Sequence, residues 1–197
     1  MTETRAVIPP KFHHVNLKTT RLHEMIVWYG RLVGAEPLFQ DAHGAWLSND
    51  AANHRIALLA FPGFVDDPDK DTRTGMHHSA FEYDAFEDLN ASYLRLCKEG
   101  IEPTMCIDHG MTLSYYYQDP DGNFVELQCD AFGDWTQSSD YVRTSDVFHA
   151  NPIGVFVDPA KVGEAAASGA SFADIHARAM AGELAPEQAP IEIPTND

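Results

Sequence analysis

Glu126 stands in "FVEL", residues 124–127, a run with the β-branched and apolar content of a buried strand. A lone buried carboxylate is strongly disfavoured, so its position asks for a partner. Two other strand-like runs, "FHHVNL" (12–17) and "HHSAFEY" (77–83), each carry a pair of histidines. Strand side chains alternate faces, so parity decides which residues meet. Val15 and Leu17 share one face, and His14 and Asn16 take the other. Phe81 and Tyr83 go with His77, whereas His78 goes with Ala80 and Glu82. The apolar parity packs under a helix, which places His14 and His78, rather than His13 and His77, on the opposite side of the sheet. Two neutral imidazoles and one carboxylate are a donor set for a divalent metal, with positions left over for other ligands. Blander readings of the same residues stand beside this one. A strand histidine can simply be hydrogen-bonded, and Glu126 can pair with Arg55 or Lys98.

The elements that position these residues read as one supersecondary unit written twice. In the first copy a strand over "FHHVNL" leads to a helix with apolar positions Leu22, Met25, Ile26, Tyr29, Leu32 and Val33. Thr20 is the expected cap, and Gly34 closes the helix in the left-handed region. A less regular "EPLFQ" precedes strands near "AWLSN" and "HRIALLAF". In the second copy "HHSAFEY" is the strand, Asp84 the cap, and Phe86, Leu89, Tyr93, Leu94 and Cys97 mark a helix ending before Gly100. Strands follow near "TMCID", "LSYYYQ" and "NFVELQC". The last two flank the turn sequence Asp119-Pro120-Asp121-Gly122. Both helices end in Gly, one residue, then Glu-Pro: Gly34-Ala35-Glu36-Pro37 and Gly100-Ile101-Glu102-Pro103. The pattern predicts an α+β domain over residues 1–130, with βαβββ modules at about 11–61 and 75–130. Residues 62–75 are read as the linker. Residues 131–197 form a C-terminal extension: 131–160 irregular with a short strand at "IGVFV", a helix near 171–182, and a disordered end.

The chain has 197 residues, 44% of them hydrophobic, which suits a globular core. No run reaches the roughly 18 consecutive apolar residues of a membrane span, and "MTETRAVIPPKFHH" lacks the apolar stretch of a signal peptide. A cytoplasmic location is the expectation. The net charge of −17 argues against nucleic acid and anionic membrane as partners. Cys97, Cys106 and Cys129 form no CxxC pair and leave an odd thiol in any disulfide scheme, as in a reducing compartment.

With these residues in view the chain resembles the vicinal oxygen chelate superfamily, whose paired βαβββ modules form cupped sheets around a divalent metal. "FHHVNL" resembles its opening strand, "HHSAFEY" the counterpart in the second module, and "YYQDPDGNFVEL" its closing strand with the ligand glutamate. The resemblance covers about residues 8–130 and assigns His14, His78 and Glu126 as the metal ligands. Further residues resemble the type I extradiol catechol dioxygenases, in a one-domain form. "NHRIAL" is similar to the strand bearing their acid/base histidine, which gives His54 that role. Tyr116 stands ten residues before Glu126, where those enzymes carry a tyrosine, and "DHGMTLSYYY" supplies the upstream histidine, His109, followed by Gly110.

The resemblance implies a non-haem Fe(II), or alternatively Mn(II), and a catechol and O2 as substrates. Ring cleavage falls next to the hydroxyls. His54 takes up and returns a proton, and His109 and Tyr116 donate hydrogen bonds. It also implies a homo-oligomer. Two alternatives share the scaffold. One is a glyoxalase-like isomerase or antibiotic-modifying transferase, for which Glu82 offers a second carboxylate. The other is a metal-free small-molecule-binding protein. The chain shows no positive cluster that would bind a substrate carboxylate, so an uncharged or bulky hydrophobic catechol is expected.

Overall fold

The computed structural model describes residues 8–191, which fall into two compact units divided between Asp71 and Thr72. The first unit runs β1 (Val15–Lys18), α1 (Leu22–Val33), β2 (Glu36–Gln40), β3 (Gly44–Ser48) and β4 (Ile56–Leu59). Its mixed sheet has the order β1-β4-β3-β2, with β1 parallel to β4 and Val15 opposite Ile56. The helix buries Met25, Ile26, Tyr29 and Leu32 on the side where β3 and β4 bury Ala45, Leu47, Ile56 and Leu58. Each such large side chain is worth about 1.5–3 kcal/mol of burial.

The second unit repeats the plan: β5 (His78–Tyr83), α2 (Phe86–Lys98), β6 (Met105–Asp108), β7 (Thr112–Gln118) and β8 (Phe124–Asp130). The order β5-β8-β7-β6 matches the first sheet strand for strand, and β5 is again parallel to β8. The α+β class and the duplicated βαβββ unit are therefore borne out, as two mixed sheets. Leu89 and Leu96 of α2 are fully buried, as are Tyr115, Tyr117, Val125 and Leu127 of the sheet.

Helix ends depart from expectation at their starts. Gly34 and Gly100 have φ of 67° and 75°, as the glycine signals require. The N-caps, however, are Arg21 and Ala85, and neither makes a side-chain cap. Thr20 instead donates to Asp66 at 2.6 Å, and the Thr19 hydroxyl accepts from the Arg21 N–H at 2.8 Å.

The extension is more regular than the sequence suggests. Residues 131–160 hold α3 (Trp135–Thr144), α4 (Asp146–Ala150), β9 (Val155–Phe156) and the start of α5 (Pro159–Ala167), before α6 (Phe172–Met180). Side-chain caps from Asp134, Ser145 and Asp158 start α3, α4 and α5. Only Ser138 is buried in α3, so apolar periodicity gave no helical signal there. β9 adds to the edge of β6, and Val162, Ile175, Ala179 and Leu184 bury a small apolar layer of the extension's own. The disorder expected at the end of the chain spans "APEQAPIEIPTND", residues 185–197; residues 185–191 are described, without helix or strand, and 192–197 lie outside the described residues.

Candidate active site

In the second unit the site grows out of strand register. β7 and β8 are antiparallel with Tyr117 opposite Val125 and Tyr116 opposite Glu126, so the ten-residue spacing is the span of this hairpin. Asp119 closes its turn, its carboxylate accepting from the N–H groups of Asp121 (3.0 Å) and Asn123 (2.8 Å). Gly122 supplies the φ of 76° that the turn needs. On the other side of β8, Ala80 is opposite Glu126, with His78 one step of the same parity away.

This register brings side chains together on the face away from α2. The His78 Nε2 lies 3.0 Å from the Glu126 Oε2, and the Tyr116 hydroxyl donates to Oε1 at 3.1 Å. His109, in the loop between β6 and β7, places its Nε2 2.8 Å from the Tyr116 hydroxyl. His78, Glu126, Tyr116 and His109 thus form one hydrogen-bonded chain. Met105 and Ile107 are buried beside Tyr116, with Phe124 and Phe156 packed against them, giving the polar chain an apolar border.

The electrostatics follow from burial and from these neighbours. Burial pushes the Glu126 carboxyl up, but hydrogen bonds from His78 and Ser114 and the fields of His78 and His109 outweigh it, leaving the group below its ordinary range. Burial holds the His109 imidazole below its ordinary value against the pull of Glu126. Burial and then Glu126 push the Tyr116 hydroxyl far up, so it stays a donor across the working pH range.

The first unit gathers a second group. Before β1 and β4, the rings of His14 and His54 lie 4.2 Å apart between centroids, and His13 lies 5.3 Å from each. One nitrogen of each of the three is within 4.8 Å of the others, close enough to hold a metal ion. Burial and the neighbouring His14 and His13 lower the His54 imidazole, which favours its neutral, proton-accepting form. Arg55 donates to the His13 carbonyl at 2.9 Å and pairs with Asp50 at 2.7 Å, bracing the approach to β1.

The strand-parity argument is corrected in one respect. β1 begins at Val15 and β5 at His78, so His13, His14 and His77 precede the strands and escape their alternation. His13 joins His14 and His54, and His77 stacks on Phe124 at 5.3 Å. No residue-type signal marked either one. Arg55 is engaged by Asp50, and Glu126 meets the His78 ring instead. Glu82, the second carboxylate an isomerase reading would use, accepts from the Trp135 indole at 2.8 Å.

These donors fit a divalent metal. Glu126 is buried, its compensating neighbours are imidazoles and a phenol, and nitrogen with carboxylate oxygen is the mixture that first-row divalent ions take.

Comparison with known proteins agrees. The family model for the Glyoxalase/Bleomycin resistance protein/Dioxygenase superfamily matches residues 11–127. The chain belongs to this superfamily. Within the superfamily it is 38% identical over 178 residues to biphenyl-2,3-diol 1,2-dioxygenase 2 of Rhodococcus globerulus, covering 90% of this chain and 93% of that one. Biphenyl-2,3-diol 1,2-dioxygenase 3 of the same organism is 34% identical over 174 residues, covering 88% and 91%. Among solved structures, a glyoxalase/dioxygenase from Nostoc punctiforme shares the superfamily fold with a TM-score of 0.52 at 20% identity, over 65% of this chain and 99% of that one.

Proposed function

We propose that this protein cleaves catechol-type aromatic diols next to the hydroxyls, inserting both atoms of O2, with a non-haem Fe(II), or alternatively Mn(II), held by His14, His78 and Glu126. The chain is a ring-cleaving dioxygenase of its superfamily, and its two Rhodococcus relatives are biphenyl-2,3-diol 1,2-dioxygenases. The observation that carries the site assignment is the hydrogen-bonded chain of His78, Glu126, Tyr116 and His109 on one face of the second sheet. His14 is proposed as the third ligand from its place in the repeat, equivalent to His78. Residues 1–130 are proposed as the superfamily domain and 131–197 as its extension. We place the protein in the cytoplasm as a homo-oligomer. Among the described residues no helix is long and apolar enough to cross a membrane.

When bound, Fe(II) supplies a Lewis-acidic template that orders diol and dioxygen and passes electron density between them. The protein's own groups do the rest. His54, kept neutral by burial and neighbouring imidazoles, accepts a proton from a diol hydroxyl and returns it as the ring opens. Tyr116 keeps its proton and so donates a hydrogen bond to charge developing on oxygen. Met105, Ile107, Phe124 and Phe156 give an apolar surface beside Tyr116 that suits an uncharged, aryl-substituted diol of the kind the relatives' names specify. The product is a ring-opened 2-hydroxymuconic semialdehyde type of compound.

The test is oxygen consumption by anaerobically Fe(II)-loaded protein across a panel of catechols that includes biphenyl-2,3-diol. Uptake with a yellow product is expected, strongest for uncharged, aryl-substituted members. No uptake across the panel overturns the reading.

A further inference from the structure

The C-terminal extension reaches back to the loop that carries His109. β9 pairs antiparallel with β6, Phe156 opposite Ile107 and Val155 opposite Asp108, so the residues just before β9 lie alongside the residues just after β6. There the Ile153 carbonyl meets the His109 Nδ1 at 2.5 Å. A carbonyl oxygen can only accept, so Nδ1 must carry hydrogen. The opposite ring nitrogen, Nε2, faces the Tyr116 hydroxyl at 2.8 Å.

The carbonyl is held in place by contacts with no part in the proposed chemistry. Asn151 braces the turn, its Nδ2 donating to the Gly154 carbonyl at 2.7 Å while its Oδ1 accepts from the Gly154 N–H at 3.2 Å. Gly154 has φ +92° and is pressed so close to β6 that a Cβ would collide with the Asp108 carbonyl and stand 2.7 Å from the His109 Cα. On the other side Asp108 is wholly buried, and its carboxylate accepts from the Gly110 N–H at 2.9 Å and from the His176 Nδ1 at 2.7 Å. The loop bearing His109 is thereby gripped from both sides by the extension.

We propose that the Ile153 main-chain carbonyl is a positioning group of the active site, fixing His109 as the Nδ1–H tautomer with Nε2 turned to Tyr116. The catalytic consequence rests on the reading of Tyr116 given above; for His109 it replaces the donor role that the resemblance implies, which a neutral Nδ1–H ring cannot fill at Nε2. In the neutral ring Nε2 is an acceptor, and the single Tyr116 proton goes either to it or to Glu126. With a proton on Nε2 the ring donates to Tyr116, which then donates on to Glu126. Proton gain or loss at His109 is confined to Nε2, the nitrogen joined to the hydrogen-bonded chain, because the carbonyl holds the proton on the other nitrogen. A residue orienting a catalytic histidine through its far nitrogen is the arrangement by which tautomer is normally set.

The experiment uses the full chain with ¹⁵N-labelled histidine, first without metal, the His109 resonances being assigned by their loss in His109→Phe. Wild type should show a single tautomer protonated on Nδ1. Asn151→Ala, which loosens the turn without backbone strain, and Gly154→Ala, which displaces it, should both show a mixture of tautomers. In the Fe(II)-loaded protein the same variants should bind as much metal as wild type. Their kcat should fall by roughly 10–100-fold, the usual effect of removing an orienting partner, with KM nearly unchanged. If Gly154→Ala fails to fold, Asn151→Ala carries the test. A wild-type His109 protonated on Nε2 overturns the proposal, as does an Asn151→Ala protein with unaltered tautomer and kcat. The tautomer is read without substrate or metal, so a wild type that cleaves no diol refutes the functional reading while leaving this result standing.

Discussion

Glu126 and Tyr116 face each other across one hairpin, yet the site asks different things of them. Glu126→Gln keeps the size and the hydrogen bond from Tyr116 but removes the charge that offsets a cation. Iron affinity should fall on the order of 100-fold or more, beyond the upper end for loss of a mere supporting partner. Metal analysis after dialysis checks this, and a variant that retained a full complement of iron would remove Glu126 from the ligand set. Tyr116→Phe should keep its iron and lose about 10²–10³ in kcat, the range for deleting one donor to developing charge. Steady-state oxygen uptake measures that loss, and a wild-type rate would leave the hydroxyl without a role. Tyr116 was singled out from three consecutive tyrosines only by its resemblance to the dioxygenase spacing, whereas Glu126 was legible in the sequence because a carboxylate interrupts an apolar strand just after an unmistakable turn. His13 was not, since alternation holds only inside strands and β1 begins two residues later. The Ile153 carbonyl could not be found that way at all, because a main-chain acceptor leaves no trace in residue type.

At the scale of elements, the two sheets were readable from periodicity and from the Gly-x-Glu-Pro signals, since both helices bury an apolar stripe. In the extension the strand at "IGVFV" and the helix near 171–182 were readable and return as β9 and α6, whereas α3, α4 and α5 escaped the sequence. The physical reason is plainest at α3, which starts on a side-chain cap and buries almost nothing. His176, which no sequence motif marks, ties α6 to β6 through the buried Asp108. Its hydrogen bond to that carboxylate raises the imidazole above its ordinary value, against the opposing effect of burial. The sign follows from linkage. A raised folded-state value means the pair's contribution is fully present below the unfolded value of about 6.5 and is lost as pH rises through the folded value. The difference in thermal midpoint between wild type and His176→Phe should therefore be largest in mild acid and shrink toward alkaline pH. A gap independent of pH would show that packing, and not the ion pair, fastens α6. Below the unfolded value His176→Ala, which strands a buried carboxylate, should cost about 3–5 kcal/mol.

The whole chain carries a charge of −17, and each unit repeats one strand order, so a duplicated scaffold is presented within a strongly negative field. Such a field draws in divalent cations and repels anionic ligands, and it is an ionic-strength-dependent effect on encounter. Because the Debye length shrinks from about 20 Å near 20 mM salt to roughly 7 Å near 200 mM, only the unscreened condition lets distant carboxylates act on an approaching substrate. The comparison to make is kcat/KM for a neutral catechol and for one bearing a ring carboxylate, at both salt concentrations. The neutral diol should be preferred at low salt, and the ratio should narrow several-fold at high salt through a gain by the anionic diol alone. A ratio indifferent to salt would place discrimination in local contacts, with the apolar border of Met105, Ile107, Phe124 and Phe156 as its source. A ratio that widened with salt would mean that the net charge does not describe the potential met by the substrate. Steering by the whole molecule and selection by that border thus separate in one experiment, because added salt screens only the long-range field.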